Sequence, residues 1–447
     1  MPTRRRFLLS AAAAPSLSLL AQRPQSAASA AGPTTTGEEA LPAPLLGLAD
    51  RRKEIVPITV EERNARLERA RELMKANRIE AIAITTGSSL LYYTGARWGQ
   101  SERLFAYVIP RTGAPFLVAP SFERDRVAEL MPGFPAGETA RSYFWQENED
   151  PYALVRKGLA ECSVRTGTVG IEEHTQFAFS HGIAKACPGL TIASATPVTA
   201  GCRAIKSAAE LACLRLANEI TLSVYRAVYL SCGPGDTNHR FVELVNRGYE
   251  RCGVQGEASC NVGTNSGVPH GSRQPQVIRE HEVVLIDDGC TVEGYTSDIS
   301  RSFVYGTATD LQRSVFDVVH KAQAAALAAA KPGVEMQAVD AAARKVIVDA
   351  GYGPGFEYFT HRVGHGIGLD MHEWPYLVPG NTQKLAAGMV FSDEPGVYMR
   401  GKFGIRLEDD MHITEDGAKL FTPQSPSLRA PFAIPEFPGA AAARPGR

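Results

Sequence analysis

Two aspartates, Asp287 and Asp298, stand eleven positions apart on either side of Glu293-Gly294, a dipeptide suited to a two-residue hairpin turn. With that pair at the tip, Gly289 falls opposite Asp298 and Asp287 opposite Ser300. Side chains alternate along a strand, so the two aspartates share a face as diagonal neighbours, roughly 7 to 8 Å apart at the backbone. Carboxylates held this way repel unless a proton or a cation lies between them. Taken alone the pattern is modest, because aspartates near turns are common without any metal.

Two further clusters add weight. His361, His365 and His372 fall within twelve residues, interleaved with Gly364, Gly366 and Gly368. The glycines make a poor helix, so the two-histidine helical zinc motif does not apply. They do let backbone approach a bound group closely. A dinucleotide loop is rejected, since a third glycine at the right spacing and the strand-before, helix-after context are missing. Downstream come Ser392-Asp393-Glu394-Pro395-Gly396 and then the segment Gly404 to Ile413. Read as one strand, that segment puts Arg406, Glu408, Asp410 and His412 on one face. Ile405, Leu407, Met411 and Ile413 take the other, with Asp409 the exception. A solvated sheet face would explain the alternation, but the apolar run Met389-Val390-Phe391 and the Arg-x-Glu spacing argue for burial.

Together these segments resemble the pita-bread metallopeptidases, the family of Xaa-Pro aminopeptidase, prolidase and methionine aminopeptidase. The resemblance covers about residues 204–422. It extends more weakly over 59–203, where Leu91-Tyr-Tyr-Thr-Gly95 looks like a creatinase-type N-terminal domain. It implies metal ligands at Asp287, Asp298, His365, Glu394 and Glu408, with Asp298 and Glu408 bridging two ions. Asp287 would chelate one ion, and His365 and Glu394 would hold the other. Four carboxylates and one imidazole favour harder cations, so Mn(II) is expected first, with Co(II), Zn(II) or Fe(II) as alternatives. The implied chemistry is attack of a metal-bridging hydroxide on the scissile carbonyl, with Glu394 moving a proton towards the leaving nitrogen.

The same resemblance assigns His270, His361 and His372 to hydrogen bonds with the scissile carbonyl and the tetrahedral intermediate. Arg406 is expected to pair either with a substrate carboxylate or with a ligand carboxylate. The implied substrates are short proline-containing peptides, cut at the Xaa-Pro bond by an aminopeptidase or a dipeptidase, and the implied assembly is a homodimer. Asp288 and Asp393 depart from the pattern by adding carboxylates beside ligands, and Cys290 places a thiol in the ligand hairpin. The rival readings are another metal-dependent hydrolase of a small amide, ectoine-type or creatinase-like, and a non-catalytic binding protein on the same fold.

What must position these residues is a chain of 447 residues with 47 Lys plus Arg against 48 Asp plus Glu. No basic excess exists to neutralise a phosphate backbone, so nucleic acid is not an expected partner. No apolar run reaches the roughly 18 to 20 residues of a membrane-spanning helix. Arg4-Arg5-Arg6, a mildly apolar stretch from Phe7 to Ala21 and the triplet Ala28-Ser29-Ala30 resemble a twin-arginine export signal over residues 1–30. The expected location is therefore periplasmic or otherwise extracytoplasmic. Eight scattered cysteines form neither a disulfide framework nor a zinc ribbon.

Residues 31–57 read as a linker. A creatinase-like α/β domain is expected over 58–203, opening with the helix-capping pattern Thr59-x-x-Glu62 and including strands at 79–84, 105–109, 116–119 and 168–172. A second capping pattern, Ser207-x-x-Glu210, opens the catalytic domain at 204–422. There, helices at 208–231, 237–251, 309–330 and 336–349 alternate with runs of strands, which argues for an α+β, pita-bread architecture with an internal pseudo-repeat. A Pro- and Ala-rich tail occupies 423–447.

Overall fold

The computed structural model describes residues 40–432 apart from 138–139. The export-type segment at 1–30, residues 31–39 of the linker and residues 433–447 of the tail lie outside the described residues. From Pro42 on, the stretch read as a linker is ordered against the C-terminal domain. A short helix α1 (Ala43–Leu46) buries Leu45, and the Arg51 N–H donates to the Cys252 carbonyl at 3.0 Å.

The N-terminal domain begins with α2 (Val60–Asn77), whose Thr59 side chain accepts from the Glu62 N–H, as a helix N-cap should. A six-stranded mixed sheet follows, built from β1 (Ile79–Ile84), β2 (Ala106–Pro110), β3 (Phe116–Pro120), β4 (Arg141–Trp145), β5 (Gly167–Ile171) and β6 (Leu190–Ser194). Its order is β4-β3-β2-β1-β5-β6, and its central strands are buried on both faces. Helices α3 (Gly87–Thr94), α4 (Arg124–Leu130), α5 (Pro151–Glu161), α6 (Phe177–Ala186) and α7 (Thr196–Arg203) cover those faces, which explains the near-continuous apolar runs of the strands.

The catalytic domain uses one plan twice, a pair of helices followed by antiparallel strands. Helices α8 (Ala208–Tyr229) and α9 (Asn238–Cys252) precede β7 (Gln255–Gly256), β8 (Ser259–Val262), β9 (Val283–Asp287), β10 (Cys290–Val292), β11 (Tyr295–Thr296) and β12 (Arg301–Val304). Helices α10 (Asp310–Ala329) and α11 (Met336–Asp349) precede β13 (Gly364–Gly366), β14 (Glu373–Leu377), β15 (Val390–Asp393), β16 (Gly396–Met399), β17 (Phe403–Arg406), β18 (Asp409–Ile413) and β19 (Ala418–Leu420). Both α8 and α10 open with complete capping boxes, Ser207 with Glu210 and Thr309 with Gln312. The result is the two-domain pita-bread fold, α+β, with a creatinase-like N-terminal domain.

Two local features position the site. Glu293 and Gly294 have φ of 52° and 95°, the left-handed pair that a two-residue hairpin of the twist-compatible type requires. The register set there continues through β9 and β12, where Arg301 lies opposite Ile286, and so brings Ser300 across from Asp287. The second feature corrects the single-strand reading of residues 404–413. The chain changes sheet between Arg406 and Asp409: β17 pairs with β16, whereas β18 pairs with β15 and β19. The polar residues of that segment therefore turn inward, and Arg406, Glu408, Asp409 and Asp410 are all buried.

Candidate metal centre

Strands β9 and β13 and the connections that follow β11, β13, β15 and β17 bring the acidic residues and histidines of three separate sequence segments to one place. Ligand-type atoms of Asp287, Asp298 and Glu408 lie within 4.8 Å of one another, as do those of His365, Glu394 and Glu408, and those of Asp298, His365 and His372. All five residues expected to hold metal thus converge, with His372 beside them.

The donors are poised for cations. His365 Nδ1 lies 3.1 Å from the Gly366 carbonyl, which can only accept, so Nδ1 carries the proton. That leaves buried Nε2 without a hydrogen-bond partner, 3.3 Å from Glu394 Oε1 and 3.7 Å from Asp298 Oδ2. Glu408 Oε1 is likewise buried and unpartnered. Burial first, then the charges of Asp287, Asp410 and Glu394, drives the Asp298 carboxyl well above its ordinary range. Burial and the neighbouring acids do the same to Glu408. Burial would also raise Glu394, but His365, His361 and Arg406 outweigh it and bring it down to about 2. Without cations, such acids hold protons; divalent ions replace those protons and satisfy the bare nitrogen and oxygen atoms. The oxygen-rich donor set fits hard divalent metals.

A second set of residues orients the donors. Ser300 Oγ donates to Asp287 and lies 2.6 Å from Glu408 Oε2. Ser392 Oγ accepts the His365 N–H at 3.1 Å. Asp410 accepts from the Asp298 N–H at 3.1 Å and from Asn218 Nδ2 at 2.8 Å, while burial pushes its carboxyl up to about 7. Gly364 admits the Ser392 backbone so closely that a Cβ there would overlap its carbonyl oxygen.

The outer residues fare differently. His361 places Nδ1 at 2.9 Å from the Arg362 carbonyl and Nε2 at 2.8 Å from the Tyr398 hydroxyl, so both ring nitrogens are engaged by the protein. Burial lowers its pKa. The His372 ring centroid is 4.0 Å from that of His365, and burial, then His365, lowers its pKa to about 4. Both rings are therefore neutral near pH 7. His270 is exposed, and its ring makes no hydrogen bond or ion pair with the described residues; the preceding Pro269 carbonyl accepts from Arg406 Nη1 at 3.1 Å. Arg406 pairs with Asp287, reaches Ser300 Oγ at 2.7 Å and donates to the Tyr398 hydroxyl at 2.9 Å.

Tyr398 and Asp410 were not singled out by sequence reasoning, because an apolar strand and a partner on a distant helix disguise them. Ser300 was recoverable, since the hairpin register already set it opposite Asp287. Of the departures, Asp393 faces Asp409 across β15 and β18, fully buried and with neither carboxylate oxygen hydrogen-bonded. Burial and the adjacent Asp287 push Asp288 up to about 7. Cys290 is fully buried against the Ala217 carbonyl, and burial raises its thiol to about 12, an unreactive state.

Comparison with known proteins agrees with this geometry. Residues 212–415 match the metallopeptidase family M24, and residues 66–205 match the creatinase/prolidase N-terminal domain. An Xaa-Pro dipeptidase of Lactobacillus delbrueckii subsp. lactis is 30% identical over 370 residues, 81% of this chain and 98% of that protein. The chain belongs to metallopeptidase family M24. As an M24 protein it also resembles solved structures along nearly their whole length. The crystal structure of dipeptidase PepE from Mycobacterium ulcerans has a TM-score of 0.78 at 31% identity, covering 84% of this chain and 99% of that one. A recombinant prolidase from Thermococcus sibiricus has a TM-score of 0.73 at 28% identity, covering 82% and 98%. Among the described residues of this M24 chain, no helix is long and apolar enough to cross a membrane.

Proposed function

We propose that this metallopeptidase hydrolyses the Xaa-Pro bond of short peptides with two divalent ions, Mn(II) in the first instance. The observation that carries the reading is the convergence of Asp287, Asp298, His365, Glu394 and Glu408 with buried, unpartnered donor atoms facing inward. Asp287, Asp298, His365, Glu394 and Glu408 would hold the ions. When bound, such a pair supplies Lewis acidity towards a carbonyl oxygen and lowers the pKa of water. Glu394, which lies beside His361 and His365, is assigned to take a proton and pass it towards the leaving nitrogen. Neutral His372, exposed beside His365, offers a hydrogen bond to a developing oxyanion. His361, tied to Tyr398 and the Arg362 carbonyl, acts by orienting Glu394, whose Oε2 lies 3.6 Å from its Nδ1. His270 stays exposed and available to close over a bound peptide.

Kinship to an Xaa-Pro dipeptidase and a prolidase supports proline specificity, and a proline-preceding bond is a tertiary amide that calls for a dedicated site. Export through residues 1–30 and assembly as a homodimer complete the proposal, to be checked by cell fractionation and light scattering. The decisive experiment strips metal, restores Mn(II), and compares Xaa-Pro, Xaa-Pro-Yaa and Xaa-Ala-Yaa peptides, with Asp298→Ala alongside. Metal-dependent cleavage only before proline, lost in the variant, is the expected result. Two bound metals with no cleavage of any peptide would move the assignment to a small-amide hydrolase.

A further inference from the structure

The hairpin that carries Asp287 and Asp298 is anchored at both ends. Its base is held inside the catalytic domain: the Tyr225 hydroxyl of α8 lies 2.6 Å from the Asp287 carbonyl and 2.9 Å from that of Asp288, and Thr221 Oγ1 accepts from the Cys290 N–H at 3.1 Å. Its tip reaches the N-terminal domain. Gly294 lies so close to α3 that a Cβ there would come within 2.7 Å of Leu91 Cδ2. The next residue, Tyr295, is buried, and its hydroxyl joins the two domains. It accepts from Arg66 Nη2 of α2 at 3.0 Å and donates to Glu210 Oε1 of α8 at 2.8 Å.

Arg66 is itself firmly held. Only 5% exposed, it donates from Nη1 to the Tyr92 carbonyl at 2.8 Å, lies 4.1 Å from the centroid of the Tyr92 ring, and donates from Nη2 to Glu62 at 3.0 Å. Glu62 also accepts from the Ser207 hydroxyl at 2.6 Å, and the Ser207 N–H donates to Glu210 at 2.9 Å. Arg66, Tyr295, Glu210, Ser207 and Glu62 thus form a closed circuit. Such a circuit rigidifies what it joins, because displacing any member leaves a buried charge short of a partner.

The segment it grips matters for metal. Tyr295 stands three residues before Asp298. The donor atoms include two groups that share Glu408, one with Asp287 and Asp298 and the other with His365 and Glu394. The hairpin supplies two members of the first group and none of the second.

We propose that Arg66, a residue of the N-terminal domain outside the centre, is a positioning residue for metal binding: through Tyr295 it fixes the hairpin so that the group of Asp287, Asp298 and Glu408 is formed before an ion arrives. The inference rests on the two-ion reading above and deepens it by giving the N-terminal domain a part in metal affinity.

The test titrates metal-free wild type, Tyr295→Phe, Arg66→Met and the double variant with Mn(II) in a calorimeter, and uses Asp287→Asn to mark the binding step that depends on the hairpin. Tyr295→Phe and Arg66→Met should each weaken that step about 10-fold and the other step less than about threefold, the scale expected for loss of a partner just outside a metal centre. The double variant should be no weaker than Arg66→Met, because both substitutions break one contact. Unchanged affinities, an equal fall in both steps or additive losses overturn the assignment. Tyr295→Phe keeps the ring and leaves Arg66 3.7 Å from Glu210, so it decides the matter should circular dichroism show Arg66→Met unfolded. Peptide cleavage is scored separately: two bound ions without cleavage defeat the peptidase reading and leave this inference standing.

Discussion

A single phenol links two of the outer residues of the site. The Tyr398 hydroxyl accepts from Arg406 Nη1 at 2.9 Å and donates to His361 Nε2 at 2.8 Å, so the proton of His361 is confined to Nδ1, on the side of Glu394. Removing the hydroxyl frees the His361 ring to adopt the other tautomer and leaves a donor edge of Arg406 unpaired. Tyr398→Phe is therefore expected to lower kcat by about 10- to 100-fold, the usual effect of losing a partner just outside a metal centre. Steady-state kinetics at saturating Mn(II), with circular dichroism to confirm the fold, checks this. Unchanged kcat would show that the tautomer of His361 does not matter.

Among elements, the segment between β13 and β14 is held by charges from the junction of the two domains, Arg203 on one side and Lys206 on the other. Glu373 at the start of β14 is clasped by Arg203 at the end of α7 and by Lys206 Nζ at 2.8 Å, and Arg203 Nη2 also reaches Asp370 at 2.6 Å. Four buried or half-buried charges thus close into a neutral cluster across the domain seam. The Glu373 carboxylate also packs against Gly368, where any side chain would overlap it, and the Gly368 carbonyl accepts from the Thr296 N–H of the ligand hairpin at 2.8 Å. Glu373→Ala leaves Lys206 buried without a counter-charge and should destabilise the protein by about 3 to 5 kcal/mol, because one partner of a buried pair has been removed. Urea denaturation of the metal-loaded protein measures it; a loss below about 1 kcal/mol, typical of an exposed pair, would contradict the clamp.

For the whole molecule, the acidic centre makes stability and metal loading opposing functions of pH. Asp288 and Asp410 move from an ordinary 3.8 up to about 7 in the folded state, and burial and neighbouring acids also raise Asp298 and Glu408 well above their ordinary ranges. Between those values the native state holds protons that the unfolded chain has released, so stability falls as pH rises. Their contribution is complete below the unfolded value and is lost on passing the folded one. Glu394, lowered to about 2, works in the opposite sense but is outnumbered. Metal-free protein should therefore melt at a lower temperature at about pH 8 than at about pH 5, and saturating Mn(II) should abolish or reverse the difference, since bound cations favour the ionised carboxylates. Thermal denaturation across that range, with and without metal, is the check. A metal-free melting temperature that climbs with pH would mean the cluster is already ionised.

Sequence and tertiary structure determined different things. The order and type of the main helices and strands were legible, because capping pairs such as Ser207 with Glu210 and apolar periodicity are local properties of the chain. So was the hairpin: Glu293-Gly294 dictates a two-residue turn, and the turn dictates that Ser300 meets Asp287. The residue types of the centre were legible for the same reason, as three short motifs with characteristic spacing. The partnerships were not. That residues 404–413 split between two sheets, that Arg406 is used up by Asp287, and that Glu373 answers to Arg203 and Lys206 all depend on segments more than a hundred positions apart, or on which face of a strand a neighbour covers. Local pattern encodes the conformation of a segment; which charge meets which is decided only when burial removes water and the fold chooses the partners.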